Sequence, residues 1–63
     1  MKRVVLKKGR DESLKRFHPW VFSGAVDRIL GEPYEGEVVE VVNHSEEFMA
    51  YGHYQVGSIT VRV

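Results

Sequence analysis

Phe17-His18-Pro19-Trp20-Val21-Phe22-Ser23-Gly24 decides how the rest of this chain is read. These eight positions hold the only Trp, two of the three Phe and one of the two Pro. Pro19 fixes its own φ and drives His18 out of the helical region, so a helix before it ends at or before His18. Trp20-Val21-Phe22 has the aromatic and β-branched character of a strand. Ser23-Gly24 relaxes the backbone where the chain turns or meets a neighbour closely. The stretch therefore reads as a hinge between a basic helix and a small β-barrel.

Upstream, Arg3 to Lys7 alternates, with Val4 and Leu6 on one side and Arg3, Val5 and Lys7 on the other. This predicts a first strand with one basic face. Lys8-Gly9 punctuates it. Arg10 to Phe17 then reads as a short helix, with Asp11 and Glu12 in its first turn and Lys15 and Arg16 in its last, where each charge suits the helix dipole. Leu14 and Phe17 form its apolar stripe. Two turns do not hold themselves together in water, so this helix must lean on the sheet.

Downstream, Ala25 to Leu30 is an extended segment with Val26 and Ile29 apolar. Gly31-Glu32-Pro33-Tyr34-Glu35-Gly36 is the clearest loop. Glu37 to Asn43 places four Val around Glu40, and apolar residues on both faces predict a central strand. Asn43 to Glu47 is a polar turn. Phe48 to Tyr54 is a strand in which Gly52 is expected to mark a bulge or sharp bend. Gln55-Val56-Gly57-Ser58 turns the chain again, and Ile59 to Val63 alternates cleanly to the last residue. That ending is expected to mark a domain truncated at its C-terminus and to leave an open strand edge. Four or five short strands and one short helix predict a mainly β (α+β) fold, a small, partly open barrel with the helix packed at one end. OB-type, SH3-like and pseudo-barrel strand orders all fit this pattern.

The chain has 63 residues, enough for one domain that buries a small share of its surface. It has no Cys, which excludes disulfides and thiolate metal sites and fits a cytoplasmic setting. No apolar run is long enough to span a membrane, and the N-terminus lacks the apolar core of a signal peptide. Net charge is zero but polarised. Residues 1–16 hold seven cations against two carboxylates, and residues 17–63 hold two cations against seven carboxylates, so the two parts carry +5 and −5.

Enzyme constellations are weak. Nothing resembles a nucleophile elbow. His18, His44 and His53 lack metal-ligand spacing. No Gly-rich loop joins a strand to a helix in the phosphate-cradling pattern. No catalytic, cofactor or metal residue is therefore assigned within this chain. The basic arm is the remaining chemistry: Lys7, Lys8, Arg10, Lys15 and Arg16 cluster around the expected helix, with His18 and Trp20 directly after it. Cations that track phosphates beside planar side chains that stack unpaired bases are the means of RNA recognition. The competing role for Phe17, Trp20 and Phe22 is to fill the core, and a domain this small favours it.

Lys7-Lys8-Gly9-Arg10, then Arg16 through Ala25, then Gly36-Glu37-Val38-Val39 and Ala50-Tyr51-Gly52-His53-Tyr54, resemble the N-terminal PUA-like domain of the bacterial 23S rRNA 5-methylcytosine methyltransferases, which depend on S-adenosylmethionine. The resemblance covers nearly the whole chain, and His-Pro-Trp-Val-Phe-Ser-Gly is its most specific run. It implies a PUA-like pseudo-barrel whose helix and following strand face RNA. It also implies a catalytic domain further along a parent chain, holding the cofactor and the catalytic cysteines that are absent here. Lys7, Lys8, Arg10, Arg16, His18, Trp20, Ser23 and Gly24 carry over as the region expected near RNA; charge clustering adds Lys15. On this reading the chain is an RNA-binding module for a methyltransferase. The alternative is an interaction module that packs on its own catalytic domain or self-associates through an open edge.

Overall fold

The computed structural model describes residues 1–10, 12 and 19–63. Six strands run in chain order: β1 (Arg3–Leu6), β2 (Trp20–Phe22), β3 (Val26–Leu30), β4 (Val38–Val42), β5 (Phe48–Tyr54) and β6 (Ile59–Arg62). A 3-10 turn, Ser23–Ala25, joins β2 to β3. The fold is thus mainly β, with six strands where four or five are expected. Of the helix expected over Arg10 to Phe17, residues 11 and 13–17 lie outside the described residues, and the helix is not confirmed.

All six strands form one sheet in the order β2-β6-β5-β4-β1-β3. The two outermost strands, β2 and β3, are consecutive in the chain. In a flat sheet they would lie five strand spacings apart, about 24 Å. Four Cα steps from Phe22 to Val26 reach at most about 14 Å when extended, and a 3-10 turn rises only about 2 Å per residue. The sheet must therefore curl until its edges approach each other, which makes it a half-barrel. Lys7 N–H donates to Ala25 O at 2.8 Å and Ser23 N–H to Ser58 O at 2.8 Å, tying the connecting turn to β1 on one side and to the β5–β6 turn on the other.

The core is the concave side. Val4, Leu6, Val21, Val39, Val41 and Val61 are buried there, with Ala25, Val26, Ile29, Met49 and Tyr54 packed against them. Every strand supplies at least one of these side chains, so closure of the barrel and formation of the core are one event. β4 lies between β5 and β1, and its neighbours Val41 and Val42 are both buried, so both faces are covered as the four-Val pattern predicts. β1 pairs with β4 in parallel, with Val5 opposite Val42, and both are buried outside the core cluster. The expected basic face of β1 is therefore apolar at its centre.

Three further expectations are corrected. Trp20 and Phe22 are 41% and 47% exposed rather than core. Strand alternation is the reason: Val21 points inward, so both its neighbours point outward. Gly52 does not mark a bulge, because it pairs in register with Val39; the irregularity lies between Val41 and Val42, opposite Met49. Gly52 instead permits a close approach of β6. A Cβ there would meet Val61 Cγ1 at 2.5 Å, Arg62 O at 3.0 Å and Val63 Cα at 3.2 Å. Finally, β6 is not an open edge. It pairs with β5 on one side and β2 on the other, and Val63 N–H donates to Pro19 O at 2.7 Å.

Candidate nucleic-acid interface

The two ends of β1 carry different electrostatics. At its start, Lys2 Nζ donates to Glu37 Oε2 at 2.9 Å and lies 5.4 Å from the Tyr34 ring centroid. Arg3 Nε donates to Glu40 Oε2 at 3.1 Å. Glu37 also accepts the Tyr34 backbone N–H at 2.9 Å. That backbone bond, and then Lys2, hold the Glu37 carboxyl below the usual carboxylate range. Two cations of the basic arm are thus neutralised by the acidic part of the chain. Arg28 is similarly paired with Asp27 at 2.8 Å.

At the far end of β1 no such ion pair occurs among the described residues. Lys7, Lys8 and Arg10 are exposed and make no ion pair with a described residue. Lys7 to Arg10 forms a tight turn closed by Arg10 N–H donating to Lys7 O at 3.0 Å. Gly9 has φ +80° at the third position of that turn, the value a type II turn requires and an L side chain resists. The Lys7–Ala25 backbone bond then sets this turn beside Ser23 and Gly24, both exposed. Trp20 stands three residues before Ser23, on the outer side of β2. Arg62, its cross-strand partner, holds its guanidinium carbon 5.8 Å from the indole centroid. Phe22 meets Trp20 edge-on, with centroids 6.4 Å apart and planes at 81°.

The fold therefore sets Lys7, Lys8 and Arg10 beside Ser23 and Gly24, while Trp20 lies at the opposite end of β2 from that turn, with Arg62 and Phe22. Lys15, Arg16 and His18 lie outside the described residues. Three contributors escaped sequence reasoning. Arg62 is remote in sequence, and only strand pairing places it on Trp20. Phe22 had a local signal, because outward Trp20 and inward Val21 require outward Phe22. Glu12 lines a cavity with Gly9, Arg10, Phe22, Gly24 and Ala25. Among the described residues no group of His, Cys, Asp and Glu could hold a metal ion. No helix among them is long and apolar enough to cross a membrane. A cationic turn with no acidic partner among the described residues, near the outward Phe22 ring, can grip phosphates and stack planar groups.

Comparisons with known proteins lead to the same fold. The sequence profile of the PUA-like domain family matches residues 4–63. The chain is 50% identical over 56 residues to ribosomal RNA large subunit methyltransferase I of Escherichia coli O1:K1 / APEC, and equally to that of Enterobacter sp. (strain 638). It is 48% identical to the protein of the same name from Salmonella arizonae. Each alignment covers 89% of this chain and 14% of the relative, so the chain spans about one seventh of the length of the curated relatives it matches. With nearly every residue inside the family profile, and with the curled six-stranded sheet beneath it, this chain belongs to the PUA-like domain family.

Proposed function

We propose that this chain is an RNA-binding module acting within a longer ribosomal RNA methyltransferase. The observation that carries the reading is the division of the basic arm. Acidic residues take up Lys2 and Arg3, while Lys7, Lys8 and Arg10, beside Ser23 and Gly24, have no acidic partner among the described residues. Phosphates would fill that need, and on the sequence motif Lys15, Arg16 and His18 are further candidates for RNA contact. The names of the relatives support ribosomal RNA as the target. In this reading the module positions rRNA for a catalytic domain elsewhere in the parent, and the product is 5-methylcytosine. Methyl transfer and the S-adenosylmethionine it requires belong to sequence outside this chain. The parent would act in the cytoplasm, where its RNA is.

The test is titration of a structured ribosomal RNA fragment over a range of salt concentrations. Binding should weaken steeply with salt. The variant Lys7→Ala/Lys8→Ala/Arg10→Ala should flatten the log–log slope by about 2 to 3, at 0.7–0.9 per phosphate contact removed. Absence of binding at low salt, or a slope indifferent to the three substitutions, would refute the reading.

A second reading has one observation in its favour. Phe48 and Tyr51 on β5 are 54% and 56% exposed, with ring centroids 4.8 Å apart. Paired outward aromatics suit packing on another part of a longer protein. Self-association through β6 loses its basis, because that strand is paired on both sides.

A further inference from the structure

Residues 17–63 hold seven carboxylates and two cations, Arg28 and Arg62. Charge balance alone would give each of these arginines a carboxylate. Arg28 has one, Asp27 at 2.8 Å. Arg62 makes no ion pair with a described residue. Strand register is the reason. Arg62 lies opposite Trp20 on one side and His53 on the other, so both of its cross-strand neighbours are planar and neither is acidic. Val21 and Val61 belong to the core, so Trp20 and Arg62 beside them point outward, and His53 is exposed on the same face. Side chains directly opposite in a sheet lie about 5 Å apart at Cβ. Trp20, Arg62 and His53 thus form a row across β2, β6 and β5 on the convex side of the half-barrel.

Trp20 has a defined task in this row. Its indole centroid is 5.8 Å from the guanidinium carbon, a cation–π contact that steadies an otherwise flexible side chain. That contact uses a face of the guanidinium and none of its N–H donors, which meet no carboxylate among the described residues. A planar, permanently charged fork suits a phosphate through two parallel hydrogen bonds. His53 beyond it is a ring of the kind on which an unpaired base stacks. An anionic group joined to a flat ring is a nucleotide. An acidic protein segment would satisfy the cation and leave the ring unused.

We propose that Arg62 and His53 bind one unpaired nucleotide of the RNA, Arg62 at its phosphate and His53 against its base, with Trp20 positioning Arg62. The proposal rests on the RNA-binding reading and adds a second contact to it. The row lies about 10 Å along the chain from Ser23, where the turn bonded to Lys7 begins, so the two contacts are separate.

The experiment uses the 63-residue chain with a fluorescein-labelled single-stranded RNA decamer and the structured ribosomal RNA fragment, read by anisotropy over a range of salt concentrations. Arg62→Gln keeps its urea midpoint, weakens decamer binding about tenfold at low salt, and flattens the log–log slope by about 0.7, one phosphate contact on a single strand. Arg62→Lys keeps the slope, because the charge stays, and still loses affinity, because the planar fork is gone; it serves if Arg62→Gln does not fold. His53→Ala weakens binding about tenfold with the slope unchanged, and His53→Phe, which keeps a ring, restores it. Arg28→Gln, whose cation already has Asp27, changes neither. Trp20→Leu loses affinity in the wild-type background and nothing further in Arg62→Gln, the non-additivity of a residue that acts through Arg62; equal losses in both backgrounds overturn that role. Polyglutamate that displaces the decamer at equal charge concentration, with the same dependence on Arg62 and His53, assigns the row to an acidic protein segment and overturns the nucleotide. Binding unchanged in Arg62→Gln and His53→Ala, with a slope still flattened by Lys7→Ala/Lys8→Ala/Arg10→Ala, overturns the row and leaves the RNA-binding reading standing. A wild-type chain that binds the fragment and not the decamer does the same. Failure to bind either RNA overturns both.

Discussion

Replacing Gly52 by Ala adds one methyl group at the tightest point of the barrel. The new Cβ would lie 2.5 Å from Val61 Cγ1, 3.0 Å from Arg62 O and 3.2 Å from Val63 Cα. Val61 is a fully buried core side chain, so it cannot rotate away without disturbing Val21 and Tyr54. The other two atoms are backbone and move only if β6 shifts from β5. Overpacking of this kind costs about 1–3 kcal/mol. Loss of glycine's freedom in the unfolded chain offsets about 0.4–1 kcal/mol. The net cost is then about 1–2 kcal/mol, against a total stability of about 3–9 kcal/mol for a chain of this size. At about 4–8 °C per kcal/mol, Tm should fall by about 5–15 °C. Equilibrium urea unfolding followed by the single Trp, Trp20, measures it: the midpoint drops and the m-value holds. Gly24→Ala is the internal control, because its Cβ meets nothing within 4 Å, and it should be neutral or slightly stabilising. A Gly52→Ala chain as stable as the wild type would show that β5 and β6 do not approach as described.

Two further outcomes follow from the loops. Glu37 is held below the usual carboxylate range by the Tyr34 N–H and then by Lys2, so its ionised form favours the folded state. That contribution is complete above the unfolded pKa of about 4.3 and disappears as pH falls through the depressed folded value; Glu37→Gln should flatten the acid limb of a urea-midpoint against pH curve, and an unchanged limb would refute the assignment. Asn43 Oδ1 accepts the N–H groups of Ser45 at 3.0 Å and Glu47 at 2.9 Å, shaping the β4–β5 turn in which Glu46 sits at φ 63°. Asn43→Ala should cost about 1 kcal/mol and speed hydrogen exchange at those two amides, Asn43→Asp should restore most of it, and equal exchange in all three chains would exclude the turn's dependence on this side chain.

Much of the fold was legible because its signals are local. The loop 31–36 announced itself by two glycines around a proline, and both glycines do adopt positive φ, +93° at Gly31 and +87° at Gly36. The double-sided valines of β4 announced an interior strand. The cationic turn at Lys7 to Arg10 and its neighbourhood with Ser23 and Gly24 followed from the family motif, and the backbone bond between Lys7 and Ala25 supplies the physical link. The exposure of Trp20 and Phe22 was misjudged because residue type was weighed above alternation: large aromatic side chains favour burial on average, but a three-residue strand has only one inward position.

The sequence by itself determined which segments are strands, where they turn, and that positive charge is concentrated before the proline hinge. Those properties depend on neighbours within a few residues, through pleat alternation, glycine conformation and proline geometry. Only the tertiary structure decided which charges are available. Pairing β1 with β4 brings Glu37 and Glu40 onto Lys2 and Arg3 and takes them out of play, while the curl that joins β2 to β3 sets the Lys7–Arg10 turn beside Gly24 and Phe22. Strand order fixes both arrangements, and strand order is set by long-range burial of one shared core, which no local run of residues encodes.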